Sequence, residues 1–165
     1  MTRIGLISDT HGFLDEKLFD YFKDCDEIWH AGDIGTIQVA LTLSRFKPFR
    51  AVYGNIDGAD IRKTYPEILR FFCEDTEVLI KHIGGYPNHY DRSVREEVTA
   101  HPPNLFISGH SHILKVINDP KLKLLHVNPG ACGKNGFHWV RTAIRFTIDK
   151  NKIQDMEVIE LGKRV

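Results

Sequence analysis

Cysteine is scarce in this chain, and the little there is excludes two kinds of framework. Cys25, Cys73 and Cys132 are odd in number, far apart and in no Cys-x-x-Cys spacing. That argues against a disulfide scaffold or a thiolate zinc site and points to a reducing, cytoplasmic setting. An excess of one charge is missing too, because 22 lysines plus arginines balance 22 aspartates plus glutamates. No net field therefore argues for a nucleic-acid or anionic-membrane surface, and any charge recognition must be local. Long apolar runs are absent, so no stretch reaches the roughly 18 residues of a membrane-spanning helix. The opening segment Arg3–Ser8 reads as a strand, without the basic and apolar regions of a signal peptide. Solenoid-length repeats, low-complexity tracts and linker-like shifts in composition are lacking as well. With 165 residues, 42% hydrophobic and 27% charged, the chain reads as one globular domain spanning residues 1–165. What it has in quantity is histidine, nine in all, several beside Asp, Asn or Gly.

Apolar runs at residues 3–8, 27–31 and 49–53 read as strands, alternating with helical spacing at 14–24 and 36–46. That alternation predicts βαβ crossovers and a mainly parallel sheet, with ligands gathered at the carboxyl ends of its strands. Residues 67–73 and 76–82 read as a hairpin around Glu74-Asp75, and 91–101 as a helix stopped by Pro102-Pro103. A short buried strand at 105–108 follows. Runs at 113–118, 122–127, 139–148 and 152–161 then predict a β-meander over the C-terminal third.

The polar residues that end these strands are Asp9 and His11, then Asp33, Asn55, His82, and finally His110 and His112. An extended backbone would point i and i+2 the same way, so Asp9 with His11, and His110 with His112, could each address one locus. Carboxylates, an amide oxygen and imidazoles without thiolate suit Mn²⁺, Fe²⁺, Co²⁺, Ni²⁺ or Zn²⁺. Seven ligands are too many for one ion and fit two, which in such sites lie about 3.5–4 Å apart and can share one carboxylate. Asp33 is the natural bridge. Two divalent cations against two carboxylates leave the locus positive and attractive to a phosphate oxyanion. Water held by such ions can reach a pKa of about 7, which makes phosphate-ester hydrolysis the expected chemistry.

In this order, Asp9-Thr10-His11, Gly32-Asp33, Gly54-Asn55, His82 and Gly109-His110-Ser111-His112 resemble the calcineurin-like metallophosphoesterase superfamily. The short length, Gly54-Asn55-Ile56-Asp57 and Asn128-Pro129-Gly130 resemble its small YfcE-type phosphodiesterase branch. The resemblance implies an α/β (α+β) fold, a four-layer αββα sandwich of two mixed β-sheets flanked by helices. It implies a dinuclear metal site in which Asp9, His11, Asp33 and His112 hold one ion and Asp33, Asn55, His82 and His110 the other. Asp33, Asn55 and His110 then serve catalysis through metal and phosphate positioning. Two divalent ions are implied, manganese first, with Ni, Fe, Co, Zn or Mg as alternatives. The implied activity is phosphodiester hydrolysis of a small-molecule substrate. Phosphomonoester or nucleotide hydrolysis is the alternative, and the sequence leaves the oligomeric state open. Ile56 stands where many larger relatives carry a histidine that serves the leaving group, so no acid is assigned and good leaving groups should be favoured. Ile83 stands where the family tends to have glycine, which alters the loop roofing the site. The retromer scaffold subunit also looks like this family but has a degraded metal site. Here the full set is present, and a large exposed apolar patch is what would favour that role.

The remaining polar residues divide more blandly. His30 is expected to be a hydrogen-bonded core group or a support for a ligand, and Asp57 to be a turn residue or to orient a ligand. His89 is a substrate-pocket candidate on a loop that is otherwise expected to be solvated. His101 and His126 read as structural, and His138, beside Trp139, receives no role. Asn128-Pro129-Gly130 could close the floor of the site or be a plain turn. Phe46, Phe71 and Phe72 read as core, and the scattered lysines as a solvated face.

Overall fold

Strand β1 (Thr2–Ile7) turns Ile4 and Leu6 to one side and Ile7 to the other, and both sides are buried in the computed structural model, which describes residues 1–165. Burial on both faces is what a continuous apolar strand predicts. Five further elements continue the alternation: α1 (Lys17–Tyr21), β2 (Glu27–His30) and α2 (Ile37–Phe46), then β3 (Phe49–Ala51) and α3 (Ala59–Thr64). A hairpin of β4 (Ile68–Cys73) and β5 (Thr76–Lys81) follows, with a small one of β6 (Gly85–Tyr86) and β7 (His89–Tyr90). After α4 (Arg95–Ala100) come β8 (Leu105–Ile107), β9 (Leu114–Asp119) and β10 (Leu124–Pro129). The long strands β11 (Val140–Asp149) and β12 (Lys152–Lys163) complete the chain.

Two five-stranded mixed sheets result, ordered β12-β11-β1-β2-β3 and β4-β5-β8-β10-β9. Between them lies a core in which Leu6, Trp29, Ile144 and Phe146 of the first sheet meet Val78, Ile80, Ile107 and Val127 of the second. Leu18, Leu43 and Ile61 of α1–α3, with Phe22 just after α1, cover the outer face of the first sheet, and Val98 of α4, with Val94 just before it, covers that of the second. The architecture is the expected αββα sandwich.

Several local expectations need correction. No sheet is mainly parallel: β1, β2 and β3 run parallel, but β11 joins β1 antiparallel, and β8 lies parallel between β5 and β10 in a sheet with antiparallel edges. The C-terminal third is no meander either. β9 and β10 complete the second sheet, whereas β11 and β12 return to the first, because alternation fixes a strand's faces and not its sheet. The helix expected at 14–24 shrinks to Lys17–Tyr21, since Asp15, bound to Arg141 at 2.7 Å, accepts from the Lys17 amide and starts the chain in a turn. The helix expected at 91–101 begins only at Arg95. Phe71 packs edge-on to Trp29, but Phe72 is 64% exposed, as strand alternation requires of its neighbour on edge strand β4. No helix is long and apolar enough to cross a membrane.

His126 sits in the second sheet, 1% exposed, with Nδ1 3.1 Å from the Phe106 carbonyl. Burial pushes its pKa down to about 4, against about 6.5 in an unfolded chain. The unfolded state therefore binds a proton that the native state refuses, and stability falls as pH drops from about 6.5 towards 4. Between pH 7 and 5 this group should cost on the order of 2 kcal/mol. Urea unfolding of the wild type and His126→Gln at both pH values checks it. The variant should lose less stability on acidification, and equal losses would remove His126 as the cause.

Candidate metal centre

Every expected metal ligand follows the carboxyl end of a strand, where loops from both sheets meet. The loop after β1 is stitched to the loop after β2 through Asp9 N–H to Gly32 O, 2.9 Å, His11 N–H to Asp33 O, 3.0 Å, and Gly12 N–H to Ile34 O, 2.8 Å. In the second sheet, Gly109 N–H donates to His82 O at 2.9 Å. The side chains are not aimed by extended backbone. Asp9, His11, Asp33, His110 and His112 all have positive φ, between 47° and 70°. Non-glycine residues rarely adopt that conformation, and where they cluster it marks functional sites. The i, i+2 expectation therefore holds for Asp9 and His11 by another route and fails for His110 and His112, which the left-handed turns send to different groups.

Two groups of potential ligands form, Asp9–His11–His112 and Asp33–His82–His110, each with its donor atoms within 4.8 Å of one another. They share the Asp33 carboxylate. Asp33 Oδ2 lies 3.4 Å from His11 Nε2 and 3.2 Å from His82 Nε2, while Asp9 Oδ1 lies 3.2 Å from His112 Nε2 and 3.7 Å from His11 Nε2. Asn55 joins the second group, with Oδ1 3.0 Å from His110 Nδ1.

In each carboxylate one oxygen is tied to the scaffold and the other is left free. Asp9 Oδ2 accepts from Ser8 Oγ at 2.6 Å and from the His110 amide at 3.1 Å, and Asp33 Oδ1 accepts from the Ile56 amide at 3.1 Å. The histidine His82 is set likewise: Nδ1 donates to the Ala31 carbonyl at 2.8 Å, which leaves Nε2 as a bare lone pair. Asp9 Oδ1, His11 Nε2 and His82 Nε2 are consequently buried without a hydrogen-bond partner. Buried orphans of this kind are costly, and lone pairs facing lone pairs are repulsive unless a cation or proton lies between. This donor set fits divalent metal ions.

The protein charges reflect the same frustration. Burial opposes the Asp9 carboxylate, yet the imidazoles of His11, His112 and His82 gathered around it, with the Ser8 hydroxyl, outweigh it and hold its pKa well below the usual range. Asp33 is lowered too, with His82 overcoming burial. The neighbouring Asp9 carboxylate raises His11, and His82 rises because Asp33 and Asp9 overcome the penalty of burial.

Supporting groups surround the cluster. Asp57 is buried and accepts from the amides of Ile34, Gly35 and Gly54. Gly54 is required by space, since a Cβ there would lie 2.0 Å from Asp33 Oδ1. His30 is buried, with Nε2 3.0 Å from Thr10 Oγ1 and Nδ1 accepting from the Gly32 amide. Asn128 Nδ2 donates to Gly109 O and Ser111 Oγ, beneath the loop that carries His110 and His112. His89 is exposed, belongs to neither ligand group, and holds its ring 5.0 Å from that of Tyr86, tilted by 48°. Two cavities flank the cluster, one of about 190 Å³ with Asn55, Arg62, Lys81 and His82 in its wall, and one of about 280 Å³ with Tyr86, His110, Ser111 and Lys115.

Sequence reasoning missed two supports. Arg62 reaches the carbonyls of Asp57 and Asn55 from α3, a helix too short to show periodicity. His138, which received no role, lies 3.2 Å from His112, and no apolar pattern around it could have placed it there.

A model of the calcineurin-like phosphoesterase superfamily domain matches residues 2–151. A protein of Methanothermobacter thermautotrophicus described as "Probable metallophosphoesterase" is 31% identical over 135 residues, 78% of this chain and 76% of the relative. Among solved structures, a novel archaeal phosphodiesterase aligns with a TM-score of 0.75 at 22% identity, covering 95% of this chain and 99% of that one. Vps29 from Entamoeba histolytica, complexed with zinc, aligns with a TM-score of 0.75 at 12% identity and 99% coverage of both chains.

Proposed function

From the premise that this chain belongs to the calcineurin-like phosphoesterase superfamily, we propose that it hydrolyses phosphodiesters of small molecules at a two-metal site. The observation that carries this reading is the pair of ligand groups converging on Asp33 Oδ2, with buried lone pairs left unpartnered around it. In this reading Asp9, His11, Asp33 and His112 hold one divalent ion, and Asp33, Asn55, His82 and His110 the other, with manganese the first choice. Bound there, such ions supply Lewis-acid neutralisation of phosphoryl charge and activation of water. The chain's part is placement: Asp33 sets the spacing of the two groups, while Asn55 and His110 stand where the cavities open and orient the phosphate. No side chain is assigned as leaving-group acid, because Ile56, 46% exposed, follows Asn55. Substrates with good leaving groups suit such a site, and the diester preference is part of the proposal. The three buried free cysteines support a reducing, cytoplasmic setting.

The likeness to Vps29 supports a second reading, a protein-interaction platform. Ile113, Phe137 and Trp139 favour it, being 60%, 99% and 87% exposed on the segments that follow His112 and flank His138. The intact ligand set weighs against that as the chain's sole role.

The test is hydrolysis of bis-p-nitrophenyl phosphate against p-nitrophenyl phosphate by chelator-stripped protein, with Mn²⁺, Ni²⁺, Zn²⁺ or Mg²⁺ restored. Metal-dependent cleavage that favours the diester is expected. His89→Ala should keep both the metal stoichiometry and the turnover and at most alter substrate preference. No cleavage with any ion, despite two equivalents bound, would turn the argument to the platform.

A further inference from the structure

The loop after β10 runs back over the metal-site loops. The Cys132 amide donates to Ser8 O at 2.9 Å, and that of Gly133 to Asp9 O at 3.0 Å. Gly136 then lies flat on the His112 ring at φ +131°, where a Cβ would sit 2.2 Å from His112 Nδ1. His138 closes the loop. Its Nε2 is 2.8 Å from the Gly133 carbonyl, and its Nδ1 is 3.2 Å from His112 Nδ1. Arg164 clamps the far side, with Nε donating to His138 O at 2.9 Å and its amide to Trp139 O at 3.0 Å.

These contacts have one direction. A carbonyl only accepts, so His138 Nε2 carries a proton, and the neutral ring then presents Nδ1 as a lone pair. The facing His112 Nδ1 must supply the hydrogen between the two rings. His112 Nε2 is thereby left bare, and it is the atom that lies 3.2 Å from Asp9 Oδ1 in the first ligand group. The opposite polarity would put a proton on Nε2 and block it as a ligand. Histidines that bind metals are oriented by an acceptor on their second nitrogen, and His82 uses a backbone carbonyl for this. We propose that His138 is the corresponding positioning residue for His112, a hydrogen-bond acceptor that fixes its tautomer and ring orientation for the first ion. The proposal rests on the two-metal reading of the site.

The closing experiment compares the wild type, His138→Leu, His138→Asn and Trp139→Ala by two readouts. Asparagine keeps an acceptor oxygen near the position of Nδ1, leucine removes it, and Trp139 is an exposed neighbour outside the site. Imidazole ¹⁵N shifts of metal-free wild-type protein at pH 8 should show His112 protonated at Nδ1 and His138 bare there. Calorimetric titration with Mn²⁺ should show one of two sites weakened roughly 10–100-fold in His138→Leu. In His138→Asn it should recover to within a few fold, and in Trp139→Ala it should be unchanged. The inference is overturned if His112 is bare at Nδ1, if His138→Leu binds both ions as the wild type does, or if His138→Asn is as weak as His138→Leu. Failure of the wild type to bind two ions would instead sink the two-metal reading, and the ¹⁵N shifts, which need neither metal nor a variant, would still decide the tautomer.

Discussion

Asp33→Asn in purified, manganese-loaded protein should lower phosphodiester hydrolysis by about 10³-fold or more, the scale seen when one electrostatic element of an active site is removed. The substitution is nearly isosteric, and asparagine tolerates the positive φ found at Asp33. It can still accept from the Ile56 amide, as Asp33 Oδ1 does. The change falls on the other atom. Oδ2, which lies 3.4 Å from His11 Nε2 and 3.2 Å from His82 Nε2, becomes an NH₂ group aimed at two lone pairs. Binding of both ions should therefore weaken together, since one atom serves both groups. Metal-free Asp33→Asn should be at least as stable as the metal-free wild type, because the amide now gives the orphaned His82 Nε2 a donor. Lost activity with retained stability, measured by turnover and urea unfolding, separates a ligand from a structural carboxylate. Full activity in the metal-loaded variant would end the two-metal assignment.

Much of this arrangement was legible in the sequence, for a physical reason. Strand-end polar groups follow apolar runs that must be buried, so Asp9, Asp33, Asn55, His82 and His110 announce themselves by position. Residues 2–7, 27–30 and 49–51 form the parallel part of the first sheet as their spacing requires. The Glu74-Asp75 turn likewise joins an antiparallel hairpin. What stayed hidden depends on long-range choice. Nothing local tells β11 to cross back and pair with β1, because Ala143, Ile144 and Phe146 would be buried equally well in either sheet.

The finer layout of the site was hidden for a related reason. An extended Gly109–His112 segment would bring both imidazoles to one ion. Two left-handed residues divide them, and such conformations are set by the amides and carboxylates that receive them, here the His110 amide on Asp9 and the Asn128 amide under Gly109. His138 lies further still from any local signal, on a loop whose neighbours Phe137 and Trp139 face solvent. Its partner is 26 residues away in sequence.

Asp57→Ala should be the most damaging change outside the ligand groups. The carboxylate collects three amides, with Oδ1 2.8 Å from Gly35 N and Oδ2 2.8 Å from Gly54 N and 3.2 Å from Ile34 N. Ile34 and Gly35 follow Asp33, and Gly54 precedes Asn55, so one side chain ties the loop after β2 to the loop after β3. Alanine would leave these amides in a site that is 3% exposed at residue 57, where water cannot readily replace the lost acceptor. Hydrogen bonds to a charged group contribute about 1.5–3 kcal/mol each and are not additive here, so a total loss of about 3 kcal/mol is expected. Asparagine should recover only part of it, because one carboxylate oxygen becomes a donor facing an amide donor. Arg62 cannot compensate, since it binds the carbonyls of Asp57 and Asn55 and not their amides. Urea unfolding of both variants, with Mn²⁺ affinity measured well below the unfolding transition, checks the claim. Stability and affinity should fall together, and more in Asp57→Ala than in Asp57→Asn. Wild-type stability in Asp57→Ala would mean that the two loops hold their places without the carboxylate, and that the spacing between Asp33 and Asn55 is set by the strands alone.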